Sequence, residues 1–288
     1  MIPLVEKNII VKGAADREMA VDIFYARDEQ RPVVIYAHGF NGFKDWAQFD
    51  LVAERFVAAG FTFVKFNFSH NGTTPANPED FVDLDAFGKN NYSKQLEDLE
   101  KIIDWVAKGD HMFRDNIDAG EISLIGHSMG GGIVLLQASV DKRIHKIVTW
   151  ASVSECKTPW GNWAAKKMED WKKDGVQYYT NTRTNQQMPL FYQLYEDYLT
   201  NKEKLDIKQA MERLEMPLLV CHGQSDISVA VEHAYELISW YPAAKLFTLD
   251  TDHVFDRRHP WLGSTLPRAM ESILAETIRF LKDEEPAN

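Results

Sequence analysis

The chain has 288 residues, is 45% apolar and 26% charged, and carries a formal net charge of −11. That length suits one large α/β domain, or one domain with an insertion, around a substantial core. The acidic balance argues against nucleic acid and anionic membrane surfaces as partners, since both attract basic patches.

Met19 to Tyr25 alternates apolar and polar residues and reads as a half-exposed strand. Pro32 to Ala37 is a continuous apolar run, which suits a strand covered on both faces of a parallel sheet. Trp46 to Ala59 has helical spacing and stops at Gly60, a C-cap residue. Phe61 to Phe66 is the next strand. Tyr92, Leu96, Leu99, Ile102, Ile103 and Val106 then recur at helical intervals. Glu121 to Ile125 and Lys146 to Ala151 are strands flanking a helical run from Ile133 to Ala138. Pro217 to His222 and Lys245 to Leu249 are strands, with a helix over Val231–Trp240 between them. A helix from about Leu266 to Leu281 closes the chain. Strands alternating with helices predict a mostly parallel central sheet with helices on both faces.

The stretch 152–210 breaks this rhythm. It is rich in Trp, Tyr, Lys, Asn and Gln, and a connection so long is usually functional or has a small fold of its own. It is expected to be an inserted cap subdomain on a core formed by 1–151 and 211–288.

Gly126-His127-Ser128-Met129-Gly130 sits between a strand and a helix, the context in which Gly-x-Ser-x-Gly forms a nucleophile elbow. At the tip of so sharp a turn the serine backbone is strained and its hydroxyl projects from the sheet edge. Glycines on either side avoid collision across the turn. A serine hydroxyl needs a general base, and the base needs a group to orient it. In this architecture they follow in the order Ser, acid, His, each just past a strand. Asp226, in His222-Gly223-Gln224-Ser225-Asp226, and His253, in Asp252-His253, satisfy both order and position. Ser128, Asp226 and His253 are therefore the candidate catalytic residues. Asp250 and Asp252 are rival acids, and His38, His70, His127 and His222 rival bases. Oxyanion-hole donors are expected from the backbone N–H of Met129 and of Phe40, in the loop His38-Gly39-Phe40-Asn41-Gly42 after the third strand. The nine histidines show no metal-binding spacing, so no metal and no cofactor are expected.

Together these motifs resemble those of α/β-hydrolases over nearly the whole chain. The finer pattern, His38-Gly39-Phe40-Asn41-Gly42-Phe43-Lys44-Asp45 with an insert after strand six, looks most like bacterial cinnamoyl/feruloyl-esterase-type enzymes. Related serine hydrolases of this pattern are described as dienelactone-hydrolase-like or serine-aminopeptidase-like. Dienelactone hydrolases proper carry cysteine where this chain has Ser128. The resemblance implies an α/β-hydrolase fold with a cap shaping the acyl pocket. It also implies a serine esterase acting on small to medium acyl groups, aromatic ones among them. Phe68, His70, Trp160 and Trp163 are the candidate substrate contacts, although aromatics at such positions also serve as packing in a small core. Peptide, amide or thioester hydrolysis on the same residues is the alternative activity, and a non-catalytic ligand-binding protein the alternative class.

Cys156 and Cys221 are far apart in sequence and read as free thiols in a reducing compartment. The opening residues Met1 to Glu6 lack signal-peptide features, and no apolar run approaches a membrane span. The expectation is a cytoplasmic monomer or homodimer acting on a small-molecule ester, with no membrane and no nucleic acid involved.

Overall fold

The computed structural model describes residues 3–27, 29–109 and 111–284. The chain begins β1 (Leu4–Lys12), β2 (Glu18–Tyr25), β3 (Arg31–Ala37), α1 (Phe49–Ala58), β4 (Thr62–Phe66), α2 (Leu84–Gly88) and α3 (Tyr92–Lys108). It continues β5 (Ile117–His127), α4 (Met129–Ala138), β6 (Ile144–Trp150), α5 (Ala165–Asp174), β7 (Val176–Asn181), β8 (Gln186–Phe191), α6 (Gln193–Thr200) and α7 (Ile207–Glu212). It ends β9 (Leu218–Gly223), α8 (Glu232–Trp240), β10 (Lys245–Leu249) and α9 (Arg268–Leu281).

Eight strands make one sheet in the order β1-β2-β4-β3-β5-β6-β9-β10. β1 is antiparallel to β2 and β2 to β4, and every later neighbour is parallel. Continuous apolar strands are what such a sheet requires. Val33 and Ile35 of β3 enter the core shared with α3 and α4, while Val34 and Tyr36 enter the core shared with α1 and α9. β2 differs from its sequence reading. Six of its eight residues are buried, because both of its faces are covered. Val21 and Ile23 enter the core shared with α3, Phe24 enters the core shared with α1, and Asp22 meets buried lysines.

Helix ends follow local chemistry. The Asn91 side chain accepts from Lys94 N–H at the start of α3, and Gly109 ends that helix in a left-handed conformation at φ 59°. α1 starts at Phe49 rather than Trp46 because Ala47 and Gln48 are held left-handed, at φ 53° and 51°. Beside this turn lies a buried ion cluster. Lys44 Nζ is 2.7 Å from Asp22, Lys65 Nζ is 3.2 Å from Asp22 and 2.6 Å from Asp50, and both lysines also pair with Asp45. The two lysine charges hold Asp45 down at about 2, although burial pushes the other way.

Between β6 and β9 the chain leaves the sheet. β7 and β8 form a separate antiparallel hairpin. Trp160 and Trp163 from the loop before α5, with Tyr192 and Tyr195 at the start of α6, surround the fully buried Trp171 of α5, with ring centroids 5.1–6.2 Å away. Trp171 Nε1–H donates to Leu190 O at 2.6 Å, so the ring is buried without losing its hydrogen bond. α7 returns to the main layer, packing on α4, where a Cβ at Gly132 would come 2.9 Å from Ile207 Cδ1. Among the described residues, no helix is long and apolar enough to cross a membrane.

Candidate active site

Ser128 closes the turn between β5 and α4 with φ 57° and ψ −121°, a left-handed backbone disfavoured for a side-chain-bearing residue. Its surroundings force it there. A Cβ on Gly126 would lie 2.6 Å from the Gly130 carbonyl carbon. A Cβ on Gly130 would lie 2.5 Å from the Ala37 and His38 carbonyl oxygens. The first glycine lets the turn close on itself, and the second lets α4 start hard against the end of β3. Ser128 N–H donates to Trp150 O at 2.9 Å, and so ties the turn to β6.

Asp226 and His253 lie on the loops after β9 and β10. These loops are joined by main-chain bonds from Gln224 N–H to Leu249 O and from Ser225 N–H to Thr251 O, at 2.8 and 3.1 Å. Gly223 permits the approach, since a Cβ there would come 2.7 Å from Asp252 O. The Asp226 carboxylate has no solvent exposure. Its Oδ2 accepts from His253 Nδ1 at 2.7 Å, and its Oδ1 accepts from Ser228 and Val229 N–H at 2.8 and 2.9 Å. Burial works against ionisation here. Hydrogen bonds from His222 and His253, with that of the Val229 amide, outweigh it and hold the carboxyl well below the usual range.

Ser128 and His253 line one cavity of about 480 Å³ and face a second of about 210 Å³. Phe40 lines both. Met129 is the first residue of α4, in the turn whose N–H groups have no intrahelical acceptor. A Cβ on Gly39 would sit 2.9 Å from Ser128 Cβ, so the loop after β3 lies directly against the serine. His38 fastens that loop. Its Nδ1–H donates to Gly39 O at 2.9 Å, and its Nε2 accepts from Phe68 N–H at 3.3 Å. Burial pushes His38 down to about 4, so it stays neutral near pH 7.

The rival histidines are engaged elsewhere. His127 Nε2–H donates to the His253 carbonyl at 2.9 Å and holds the His253 loop, and burial followed by the His253 charge keeps it well below its ordinary value. His222 Nε2–H is shared between Val229 O at 2.8 Å and Asp226 Oδ2 at 3.4 Å, so His222 braces the acid. His70 is buried, with Nδ1 2.7 Å from Ser69 Oγ. Of the rival acids, Asp250 accepts from Ser225 Oγ and Asp252 from Val254 and Asp256 N–H.

The four candidate substrate contacts do not lie where the sequence reading put them. Phe68, His70, Trp160 and Trp163 line neither cavity. Phe68 packs edge-on against His38 at 4.9 Å, while Trp160 and Trp163 turn inward onto Trp171. Large aromatics gain more from burial in a small core than from lining a polar cleft. In their place the larger cavity is walled by Asn41, Lys157, Asn162, Tyr179 and His233. Tyr179 comes from the β7–β8 hairpin and stacks obliquely on Phe40 at 5.6 Å. Gly161 and Asn162 line the cavity side by side, and no periodic signal singled either of them out.

Among the described residues, one group could gather round a metal ion, Asp22, Asp45 and Asp50. The lysine ammonium groups of the ion cluster already pair with all three.

The sequence model of the alpha/beta hydrolase fold matches residues 32–175, half of the chain. The chain belongs to the alpha/beta hydrolase fold family. The matched region contains the elbow and the loop after β3, while Asp226 and His253 lie beyond it. The quorum-quenching protein AidA of Acinetobacter baumannii is 29% identical over 118 residues, 41% of this chain and 34% of that protein. The match thus spans about a third of that relative's length. Among solved structures, DcsB in complex with its substrate analogue superposes with a TM-score of 0.72 at 16% identity, over 98% of this chain and 100% of that one. Est1E from Butyrivibrio proteoclasticus with ferulic acid bound gives 0.70 at 16% identity, over 96% and 99%. At such identity the likeness is one of fold.

Proposed function

We propose that this hydrolase-fold protein cleaves carboxylic esters of small to medium acyl groups through an acyl-enzyme on Ser128. The observation that carries this reading is the 2.7 Å bond from His253 Nδ1–H to a buried Asp226, with His253 and Ser128 facing one cavity. With Nδ1 donating, His253 Nε2 is left as the lone-pair nitrogen that can take the Ser128 proton. Ser128 Oγ attacks the carbonyl carbon as its proton passes to Nε2. The oxyanion is met by the N–H groups of Phe40 and Met129, each worth about 10²–10³ in rate where such a donor has been removed. Collapse breaks the carbon–oxygen bond to the alcohol, which leaves with the proton from Nε2. Water, activated by the same nitrogen, then releases the acid and restores Ser128. Asp226 fixes the ring tautomer and stabilises the imidazolium.

The segment from α5 to α6, with the β7–β8 hairpin, acts in this reading as the cap. It is supported by Asn181 Nδ2, 3.4 Å from Asn41 Oδ1, and by Gln186 Nε2–H donating to Phe81 O at 2.8 Å. The test is a stopped-flow burst on p-nitrophenyl acetate and butyrate, with an amplitude near one equivalent per chain. Full activity in Ser128→Ala would sink the proposal.

A further inference from the structure

The larger cavity has a polar feature distinct from Ser128 and His253. His233, near the start of α8, lines its wall with a third of its side chain exposed (33%). His233 Nδ1 lies 3.2 Å from the Ser154 main-chain nitrogen and 2.5 Å from Ser154 Oγ, which is also 2.5 Å from Glu236 Oε2. The hydroxyl can rotate between two acceptors, but the main-chain N–H cannot turn away from Nδ1. Nδ1 is therefore the acceptor nitrogen, and the neutral ring carries its proton on Nε2. Among the described residues, Nε2 has no hydrogen-bond partner within the chain.

The rest of this wall says what the donor could meet. Asn41 and Asn162 offer further amide groups, while Trp160 and Trp163 are turned away into the α5–α6 packing. Lys157 Nζ is 2.8 Å from Glu155 Oε1, so the one lysine on the wall already has a counter-charge. A wall of amide groups and an imidazole N–H, whose one lysine is paired with Glu155 on the same wall, carries little net charge. It suits an uncharged arm bearing oxygen better than an aromatic ring or a carboxylate.

We propose that this cavity holds the non-reacting arm of the substrate and that His233 Nε2–H donates to a keto or amide carbonyl oxygen on it. The preferred class is then oxo- or amide-bearing acyl esters rather than plain alkyl or aromatic ones. This rests on the reading of Ser128 as nucleophile, so the test measures binding rather than turnover. Ser128→Ala protein is titrated calorimetrically with p-nitrophenyl 4-oxopentanoate and 6-oxoheptanoate, against the pentanoate and heptanoate that have a methylene in place of the keto group. At least one oxo ester is expected to bind about tenfold more tightly than its alkyl partner. Adding His233→Leu should bring that ratio to about one. His233→Gln, whose amide reaches toward the Nε2 position, should restore part of it. His233→Asn, which keeps a polar group near Ser154 but none at Nε2, should behave like the leucine variant. Equal affinities in Ser128→Ala, or a preference that survives both His233→Leu and His233→Asn, would overturn the proposal. A failure of the serine chemistry would show separately, as absent turnover with the binding comparison still readable.

Discussion

Replacing Asp226 with asparagine tests the proposed chemistry without changing shape. Oδ1 accepts two main-chain N–H groups, from Ser228 and Val229 at 2.8 and 2.9 Å, while Oδ2 faces His253 Nδ1 at 2.7 Å. An asparagine must place its carbonyl oxygen against the two N–H groups, because its NH₂ there would set donors against donors. The NH₂ then faces His253 Nδ1, which has to become an acceptor. The ring proton moves to Nε2, the nitrogen that should take the Ser128 proton, and the base is lost with the geometry intact. Where a triad acid has been changed this way in a serine protease, kcat fell about 10⁴-fold, or roughly 5 kcal/mol of transition-state stabilisation. The same fall is expected here for kcat on p-nitrophenyl butyrate, with circular dichroism and Tm reporting a retained fold. A well-folded Asp226→Asn variant within tenfold of the parent would refute the assigned role.

Two further outcomes follow from the packing. Lys65→Met removes the one ammonium that pairs with all three of Asp22, Asp45 and Asp50. Lys44 is left to serve Asp22 and Asp45, and exposed Lys7 to serve Asp50, so the change should cost about 3 kcal/mol in urea unfolding. Because the Asp45 value is lowered to about 2, its stabilisation is present above the unfolded value of about 3.9 and disappears as pH falls toward 2. The parent should therefore lose stability over that interval, and Lys65→Met should lose less. Parallel acid profiles for the two would contradict this. Gly126→Ala sets a Cβ 2.6 Å from the Gly130 carbonyl carbon. Overpacking typically costs about 1–3 kcal/mol. At roughly 2–4 °C per kcal/mol for a domain near this size, Tm should fall by roughly 2–12 °C, and an unchanged Tm would show that the elbow relaxes freely.

The sheet was legible where the pattern was purely local. β3, β4, β5, β6 and β9 carry short apolar runs buried on both faces, the signature of strands in a covered parallel sheet, while β10 is a half-exposed edge strand. β2 misled because alternation suggests one wet face, whereas its charged residue, Asp22, is buried against Lys44 and Lys65, partners that local pattern does not reveal. The β7–β8 hairpin was missed for a related reason. Asn181-Thr182-Arg183-Thr184-Asn185 lacks the Asn-Gly or Gly-rich turn that would have announced it. At the site, the order of Ser128, Asp226 and His253 along the chain and their positions past strand ends were readable, because the fold places such residues at strand termini. The cavity wall was not. Trp160 and Asn162 are two residues apart, and which of them packs inward depends on Trp171 and Tyr195 rather than on their own character. His233 gave no sequence signal, since its role depends on Ser154, 79 residues earlier.

The most direct measurement is covalent. Incubation with a fluorophosphonate, followed by intact-protein and peptide mass spectrometry, should find one phosphonyl adduct per chain, on Ser128. It should be absent in Ser128→Ala and slowed at least a hundredfold in His253→Ala. An adduct on another residue, or none on well-folded parent protein, would contradict Ser128 as the nucleophile.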